Sequence, residues 1–280
     1  PFRYSDGTCR YCRRGLETAC VHGGFWGRET EDAGQGQAAR VPYADATLVK
    51  ALPDGSRPDD RFIPSLLTLA DVFTTGYHAA VQARVVQGDV VAVVGDGAVG
   101  LCAIMAAKLL GASRAISAGS SHPDRNELAR RFGADAVVTT RGDQAVGDVI
   151  EAAGGNRPDK VLECVGSAQS FSTALDMCDK GGTVGFVGLP HGVSVDAKQL
   201  FFGNISIAGG MSPAHHYIAG LIPRVLDGSI NPGMVYTDRY PLSDIARAYD
   251  DMDKRLSLIH LRRRRRIQGC RSPVPAVYFT

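Results

Sequence analysis

The sequence predicts an α/β fold built on a doubly wound, six-stranded parallel sheet. Three observations predict it. Short β-branched runs alternate with helical stretches through the middle of the chain. The runs are continuously apolar rather than alternating. A G-x-G-x-x-G loop joins the first run to the first helix. A strand buried on both faces reads as an unbroken apolar run, and strand–helix alternation lays successive strands parallel with helices over both faces.

The elements follow in order. Val90–Gly95 is the first strand and Val99–Leu110 its helix. Arg114–Ser117 is the second strand, followed by a helix over Glu127–Phe132. Asp135–Val138 is the third strand, followed by Val146–Ala153. Lys160–Cys164 is the fourth, followed by Phe171–Cys178. Gly182–Val187 is the fifth strand and Asn204–Ala208 the sixth. Six such strands are the number expected of a doubly wound dinucleotide-binding (Rossmann) sheet.

Bulk properties narrow the class. A chain of 280 residues is long enough for two domains and a sizeable core. A net charge of +2 gives no general attraction to nucleic acid or membrane. No apolar run reaches the ~18 residues that spanning a bilayer requires. Three of the seven cysteines fall within the first 20 residues. That clustering suits metal binding in a reducing, cytoplasmic setting better than a disulfide framework.

The glycine loop is Gly95-Asp96-Gly97-Ala98-Val99-Gly100. It follows the strand VVAVVG and opens the helix AVGLCAIMAAKLLG, which is the context the motif requires. Gly95 permits the tight turn, Gly97 lets backbone approach a pyrophosphate, and Gly100 lets helix and strand pack closely. The free N–H groups of that helix, including those of Ala98 and Val99, then face the phosphates. The end of the second strand selects between cofactors. It runs through Ala118 into Gly119, Ser120, Ser121 and His122, with Arg125 following. A carboxylate there would bind the ribose 2′-hydroxyl of NAD. None is present, so the small residues leave room for a 2′-phosphate, with His122 or Arg125 to bind it; an ordinary solvated loop beside NAD is the alternative.

The amino-terminal segment reads D-G-T-C-R-Y-C-R-R-G-L-E-T-A-C. Cys9 and Cys12 form a C-x2-C unit, Cys20 can close a third tetrahedral position, and Asp6 can supply an oxygen ligand. Zinc accepts this mixture in a closed structural site, where Arg10, Arg13 and Arg14 would partly balance its charge. A redox dithiol or unbound thiols remain the alternative. Further on, Asp71 stands beside apolar Leu69, Val72 and Phe73. A carboxylate there needs a partner: a metal, or the amides of a helix that it caps.

Together these features resemble the medium-chain dehydrogenase/reductase family, specifically its zinc-dependent alcohol dehydrogenases, from about Tyr4 to Lys254. The cysteine segment is similar to that family's structural-zinc lobe, with Asp6 in place of the first cysteine. The segment Leu69-Ala70-Asp71-Val72-Phe73-Thr74-Thr75-Gly76-Tyr77-His78-Ala79-Ala80 resembles the linker into its cofactor domain. The resemblance implies that Asp71 is a catalytic-zinc ligand and that Thr75 lies against the nicotinamide. It also implies that the turns Glu163-Cys164-Val165-Gly166 and Val187-Gly188-Leu189-Pro190 contact the nicotinamide half, placing Val165, Gly188 and Leu189 in the site, with His191 either at its border or solvated.

The resemblance implies four regions: 1–73, the remnant of a GroES-like catalytic domain; 74–211, the cofactor domain; 212–255, a return to the catalytic domain; and 256–280, a basic tail. The family's preceding segment carries further zinc ligands, so the expectation is an amino-terminally shortened member. The family also closes on a short strand, in which the arginine run Arg262–Arg266 has no expected place; such a run suits an anionic partner or a non-native tail.

The implied activity is zinc-dependent hydride transfer between an alcohol/aldehyde pair and NADP(H), with NAD possible. The implied partner is a small molecule rather than nucleic acid or membrane, and the implied assembly a homodimer or homotetramer. A zinc-free quinone or enone reductase of the same fold, or a non-catalytic cofactor-binding fragment, is the alternative.

Overall fold

The structure, a computed structural model, describes residues 1–25, 38–119 and 122–254, and the backbone alone at 259–262. It divides into two compact units: Asp71–Ser212, and Pro1–Ala70 with the residues from Pro213 on.

The amino-terminal part of the second-named unit is poor in regular structure. β1 (Arg3–Tyr4) pairs antiparallel with β2 (Gly24–Phe25), which closes the cysteine segment into a loop. Thr47, in the short helix α1 (Ala44–Thr47), accepts the Ser5 amide at 3.2 Å and so ties this loop down. α2 (Ile63–Thr68) starts with proline in its first turn, where a missing N–H costs nothing.

The other unit carries the sheet. α3 (Val72–Gln82) precedes it. The strands and helices then alternate: β3 (Val90–Val94), α4 (Ala98–Leu109), β4 (Arg114–Ala118), α5 (Pro123–Arg131), β5 (Ala136–Val138), α6 (Gly142–Ala152), β6 (Lys160–Glu163), α7 (Ala168–Met177), β7 (Thr183–Phe186), α8 (Ala197–Gly203) and β8 (Ser206–Gly209). The spatial order is β5-β4-β3-β6-β7-β8, every pair parallel. Counted within the sheet this is 3-2-1-4-5-6, the doubly wound order whose direction reverses between β3 and β6.

All six expected strands are present within a residue or two of the bounds read from sequence. The helices differ more. α5 begins at Pro123 rather than Glu127, and α6 at Gly142 rather than Val146. Both early turns are polar, so apolar periodicity does not mark them, although proline at the start of α5 is itself an opening signal.

The core lies on the sheet. Ala92, Ile116, Val161 and Val184 are fully buried and pack with Phe171, Leu175 and Met177 of α7. Phe171 meets Phe186 edge-on at 5.5 Å between ring centres. α3 and α4 cross closely: a Cβ on Gly76 would stand 2.5 Å from the Ala103 amide nitrogen. Two strand starts, those of β3 and β4, are also held by side chains. Asp159 accepts the Val90 amide at 2.8 Å, and Asp135 accepts that of Ala115 at 2.7 Å.

The remaining elements belong with the amino-terminal part. α9 (Ala214–Leu226) is followed by a segment whose Asn231 accepts the Ser65 hydroxyl at 2.8 Å, while Gly233 donates its amide to that hydroxyl at 3.0 Å. Beyond it, β9 (Asp238–Pro241), α10 (Ile245–Asp253) and β10 (Ile259–Arg262) form a second strand pair, parallel in direction. This corrects one expectation. A strand does follow α10, and the first arginine of the basic run, Arg262, ends it. The ladder there is made by backbone groups alone, so an arginine at its end costs no hydrogen bond. The rest of the run, 263–266, and the tail to 280 lie outside the described residues. No helix among the described residues is long and apolar enough to cross a membrane.

Candidate cofactor and metal sites

The carboxyl ends of the parallel strands converge where the sheet order reverses. β3 ends in Gly95, whose φ of 116° is open to glycine and costly for other residues. Its amide donates to the Ala118 carbonyl at 3.1 Å, fixing the loop to β4. α4 opens at Ala98 with Gly97 before it in extended conformation, and no side chain caps its first amides. The N–H groups of Ala98, Val99 and Gly100 therefore lack intrahelical acceptors and carry the positive end of the helix dipole.

The two later glycines of the motif do different work. A Cβ on Gly97 would meet nothing within 4 Å, which leaves room for a ligand. A Cβ on Gly100 would stand 1.9 Å from the Gly95 carbonyl oxygen, so only glycine lets α4 start this close to β3.

Two other turns adjoin the loop. The Val165 methyl lies 2.9 Å from where a Gly95 Cβ would be, so the turn after β6 borders the glycine loop. The turn after β7 packs against that one: a Cβ on Gly188 would stand 2.2 Å from the Gly166 amide nitrogen. His191 donates its amide to the Gly166 carbonyl at 2.9 Å, and Ser167 pairs with His191 as an isolated bridge. Val165 and Leu189 are exposed at 51% and 71%, apolar surface offered at the strand ends.

Glu163, the last residue of β6, joins these turns and was not among the site residues expected from sequence. It is fully buried. Its Oε1 accepts the amides of Val165 at 2.9 Å and Gly166 at 2.8 Å and the Ser170 hydroxyl at 2.8 Å. Its backbone carbonyl accepts the Val187 amide at 2.9 Å. Its Oε2 has no hydrogen-bond partner. The signal for it was an acid closing the apolar run Val161-Leu162 immediately before a glycine-containing turn.

The second strand end carries no acid: Gly119 stands there, with a φ of 109° that side-chain-bearing residues rarely adopt. Ser120 and Ser121 lie outside the described residues. His122 occupies the position before α5. Arg125, in the first turn of α5, reaches back to the glycine loop and pairs with Asp96 at 3.4 Å. It is thus held at the loop rather than extended into solvent.

Asp71 immediately precedes α3, the position where a capping carboxylate would stand, yet its side chain accepts no backbone amide. It accepts the Thr75 hydroxyl instead, at 3.2 Å. Surrounding protein raises its carboxyl above the ordinary value, opposed by that hydroxyl, although the residue retains a solvent-exposed side. Nearby on α4, the Cys102 thiol is pushed up by burial and further by the Asp71 charge, so it stays protonated and unreactive.

In the other unit the four lobe residues converge. One ligand atom from each of Asp6, Cys9, Cys12 and Cys20 lies within 4.8 Å of the others, the only such cluster of three or more among the described residues. The Cys9 and Cys12 sulfurs are 3.6 Å apart. Tetrahedral zinc with bonds of about 2.3 Å separates two sulfurs by roughly 3.8 Å, so the donor set fits that ion with little movement. Asp6 is held by the amides of Thr8 at 2.8 Å and Cys9 at 3.1 Å. Its other oxygen meets the His22 ring at 2.6 Å, a contact not anticipated from sequence. That histidine and the two amides keep the Asp6 carboxyl far below the usual range. Arg10 stacks on Tyr11, its guanidinium 4.6 Å from the ring centre.

A 3-2-1-4-5-6 parallel sheet with a glycine loop opening a helix at its reversal point defines a dinucleotide-binding protein of the doubly wound class. A family model described as zinc-binding dehydrogenase matches residues 98–227. An alcohol dehydrogenase of Cupriavidus necator is 32% identical over 78% of this chain and 59% of its own. An NADP-dependent isopropanol dehydrogenase of Entamoeba histolytica is 29% identical over the same shares. The solved structure of an alcohol dehydrogenase from Thermus sp. ATN1 superposes with a TM-score of 0.85 at 29% identity, covering 94% of this chain and 78% of that one. The chain belongs to the zinc-type medium-chain alcohol dehydrogenase family, and that family implies zinc and a nicotinamide cofactor. It spans about three fifths of the length of the curated relatives named here.

The two glycines of the loop should separate in stability. Gly100→Ala forces a methyl into the Gly95 carbonyl and should cost about 2 kcal/mol. Gly97→Ala enters open space and should stay within about 0.5 kcal/mol of the parent. Urea denaturation of the two variants measures both.

Proposed function

We propose that the protein is an oxidoreductase that transfers a hydride between an alcohol/aldehyde pair and NADP(H). The observation that carries this reading is the convergence, at one sheet reversal, of the glycine loop, the Val165 turn and the Gly188–Leu189 turn. The unpaired amides of Ala98, Val99 and Gly100 suit a pyrophosphate, with Gly97 leaving space for its approach. Exposed Val165 and Leu189 suit the nicotinamide half, where apolar surface excludes water from the transferring hydride.

Asp71 is the residue here that would ligate a catalytic zinc, because its carboxylate is not spent on capping α3. Zinc bound there would polarise the alcohol oxygen. Thr75, bonded to Asp71 and one turn along α3, fixes that carboxylate's rotamer and would border the nicotinamide. In the full-length protein, Asp71→Ala should abolish alcohol oxidation, followed by nicotinamide absorbance, while NADPH binding changes by less than about twofold. Zinc-independent reduction of an enone that survives the substitution would favour the zinc-free reductase instead.

For cofactor choice, we favour NADPH over NADH. The strand end bears glycine where a ribose-binding acid would stand, and Arg125 is held beside the loop by Asp96. Releasing Arg125 to a 2′-phosphate exchanges one charge-assisted contact for another. Fluorescence titration should show tighter NADPH binding, and Arg125→Gln should weaken NADPH about tenfold while leaving NADH nearly unchanged. Equal affinities in the parent would overturn the preference.

We assign the lobe of Asp6, Cys9, Cys12 and Cys20 to a structural zinc, with His22 orienting Asp6 from outside the ligand set. Metal analysis should find zinc bound there. Asp6→Cys should bind it at least about tenfold more tightly, because thiolate suits zinc better than carboxylate in a closed site. A metal-free lobe indifferent to that change would return it to the plain-thiol reading.

A further inference from the structure

We propose that Glu163 is a positioning residue for the nicotinamide half of the cofactor, acting by locking the turn after β6 against the turn after β7. The proposal rests on the dinucleotide reading above and adds a residue to it. A fully buried acid at the end of an apolar strand is a costly choice, and it persists only where its oxygens are used. Three donors converge on Oε1: the Val165 and Gly166 amides and the Ser170 hydroxyl. A carboxylate drawing two consecutive amides inward dictates the conformation of that turn. Gly166 there has a φ of 88°, and a Cβ on it would stand 2.2 Å from the Leu189 carbonyl oxygen. The turn is thus held in a shape that brings its backbone directly onto the neighbouring one.

The second turn is gripped by the same residue. The Glu163 carbonyl accepts the Val187 amide, and its Oε2 lies 2.7 Å from where a Gly188 Cβ would be. That oxygen has no hydrogen-bond partner although it is buried. The hydrogen bonds at Oε1 do not by themselves explain a second, unsatisfied carboxylate oxygen, since a neutral amide such as glutamine would also accept those donors. It is explained if the charge is retained to hold two turns in register for something that binds on them. The exposed side chains of those turns, Val165 and Leu189, stand on the outer side of this lock.

The test compares two ligands on the full chain: NADPH, and 2′-phospho-ADP-ribose, which has the same adenine half and pyrophosphate but no nicotinamide. Glu163→Gln keeps an acceptor at Oε1 and removes the charge. Loss of one charge-assisted constraint should weaken NADPH about tenfold, because the competent turn conformation is populated less. Binding of 2′-phospho-ADP-ribose should stay within about twofold, since the glycine loop and α4 are untouched. The fluorescence of bound NADPH should also shift toward that of the free cofactor. Ser170→Ala, which keeps the charge and removes one donor, should give the same pattern at about threefold, and it carries the test if Glu163→Gln does not fold.

Equal weakening of both ligands, or of neither, would overturn the positioning role and leave Glu163 a structural residue. If the parent protein binds neither ligand, the dinucleotide reading itself fails, and this inference with it.

Discussion

The structure depends on how closely α4 starts against the end of β3. At Gly100 the helix passes so near the Gly95 carbonyl that a single methyl group does not fit. That contact fixes the axis of α4 and aims its unpaired amides out of the strand end. The polarity of the site follows, because a helix N-terminus presents partial positive charge only where its first N–H groups are left unsatisfied. It also fixes where β3 ends relative to β4, through the Gly95 amide on the Ala118 carbonyl.

The same economy of space recurs along the crevice. The turns after β6 and β7 meet backbone to backbone, which glycine at 166 and 188 permits. Parallel strands end on one side of the sheet, and at the reversal between β3 and β6 the connections leave in opposite directions. In a doubly wound sheet that reversal is where a ligand crevice forms, with no dedicated cavity-forming element needed. Glu163 is the ionisable group fully buried at that junction, and it ties both turns to β6.

The cysteine lobe obeys a different logic. It has two-residue strands and little apolar content, so packing alone supplies little to hold it. Its side chains instead converge on one point, where bonds to a metal would replace a core. Asp6 is the member that differs chemically from the three thiols. Two amides and His22 hold it and orient the harder carboxylate among the thiols.

Sequence by itself determined the class of the sheet, the six strands, and the loop that joins β3 to α4. These are legible because burial on both faces imposes unbroken apolar runs and because the glycine spacing is set by backbone sterics. It also brought out the lobe residues, whose spacing is local. The polar first turns of α5 and α6 escaped it, since at most one small apolar residue, Ala145 in α6, marks a face there and periodicity has nothing to read. So did the strand that takes in Arg262, which is held by backbone bonds that do not depend on side-chain character. Only the tertiary structure decided that Asp71 leaves α3 uncapped, that His22 meets Asp6, that Arg125 pairs with Asp96, and that Glu163 reaches two turns at once. Each of these is a matter of where one rotamer points across a gap between segments, and residue type and spacing do not encode that direction.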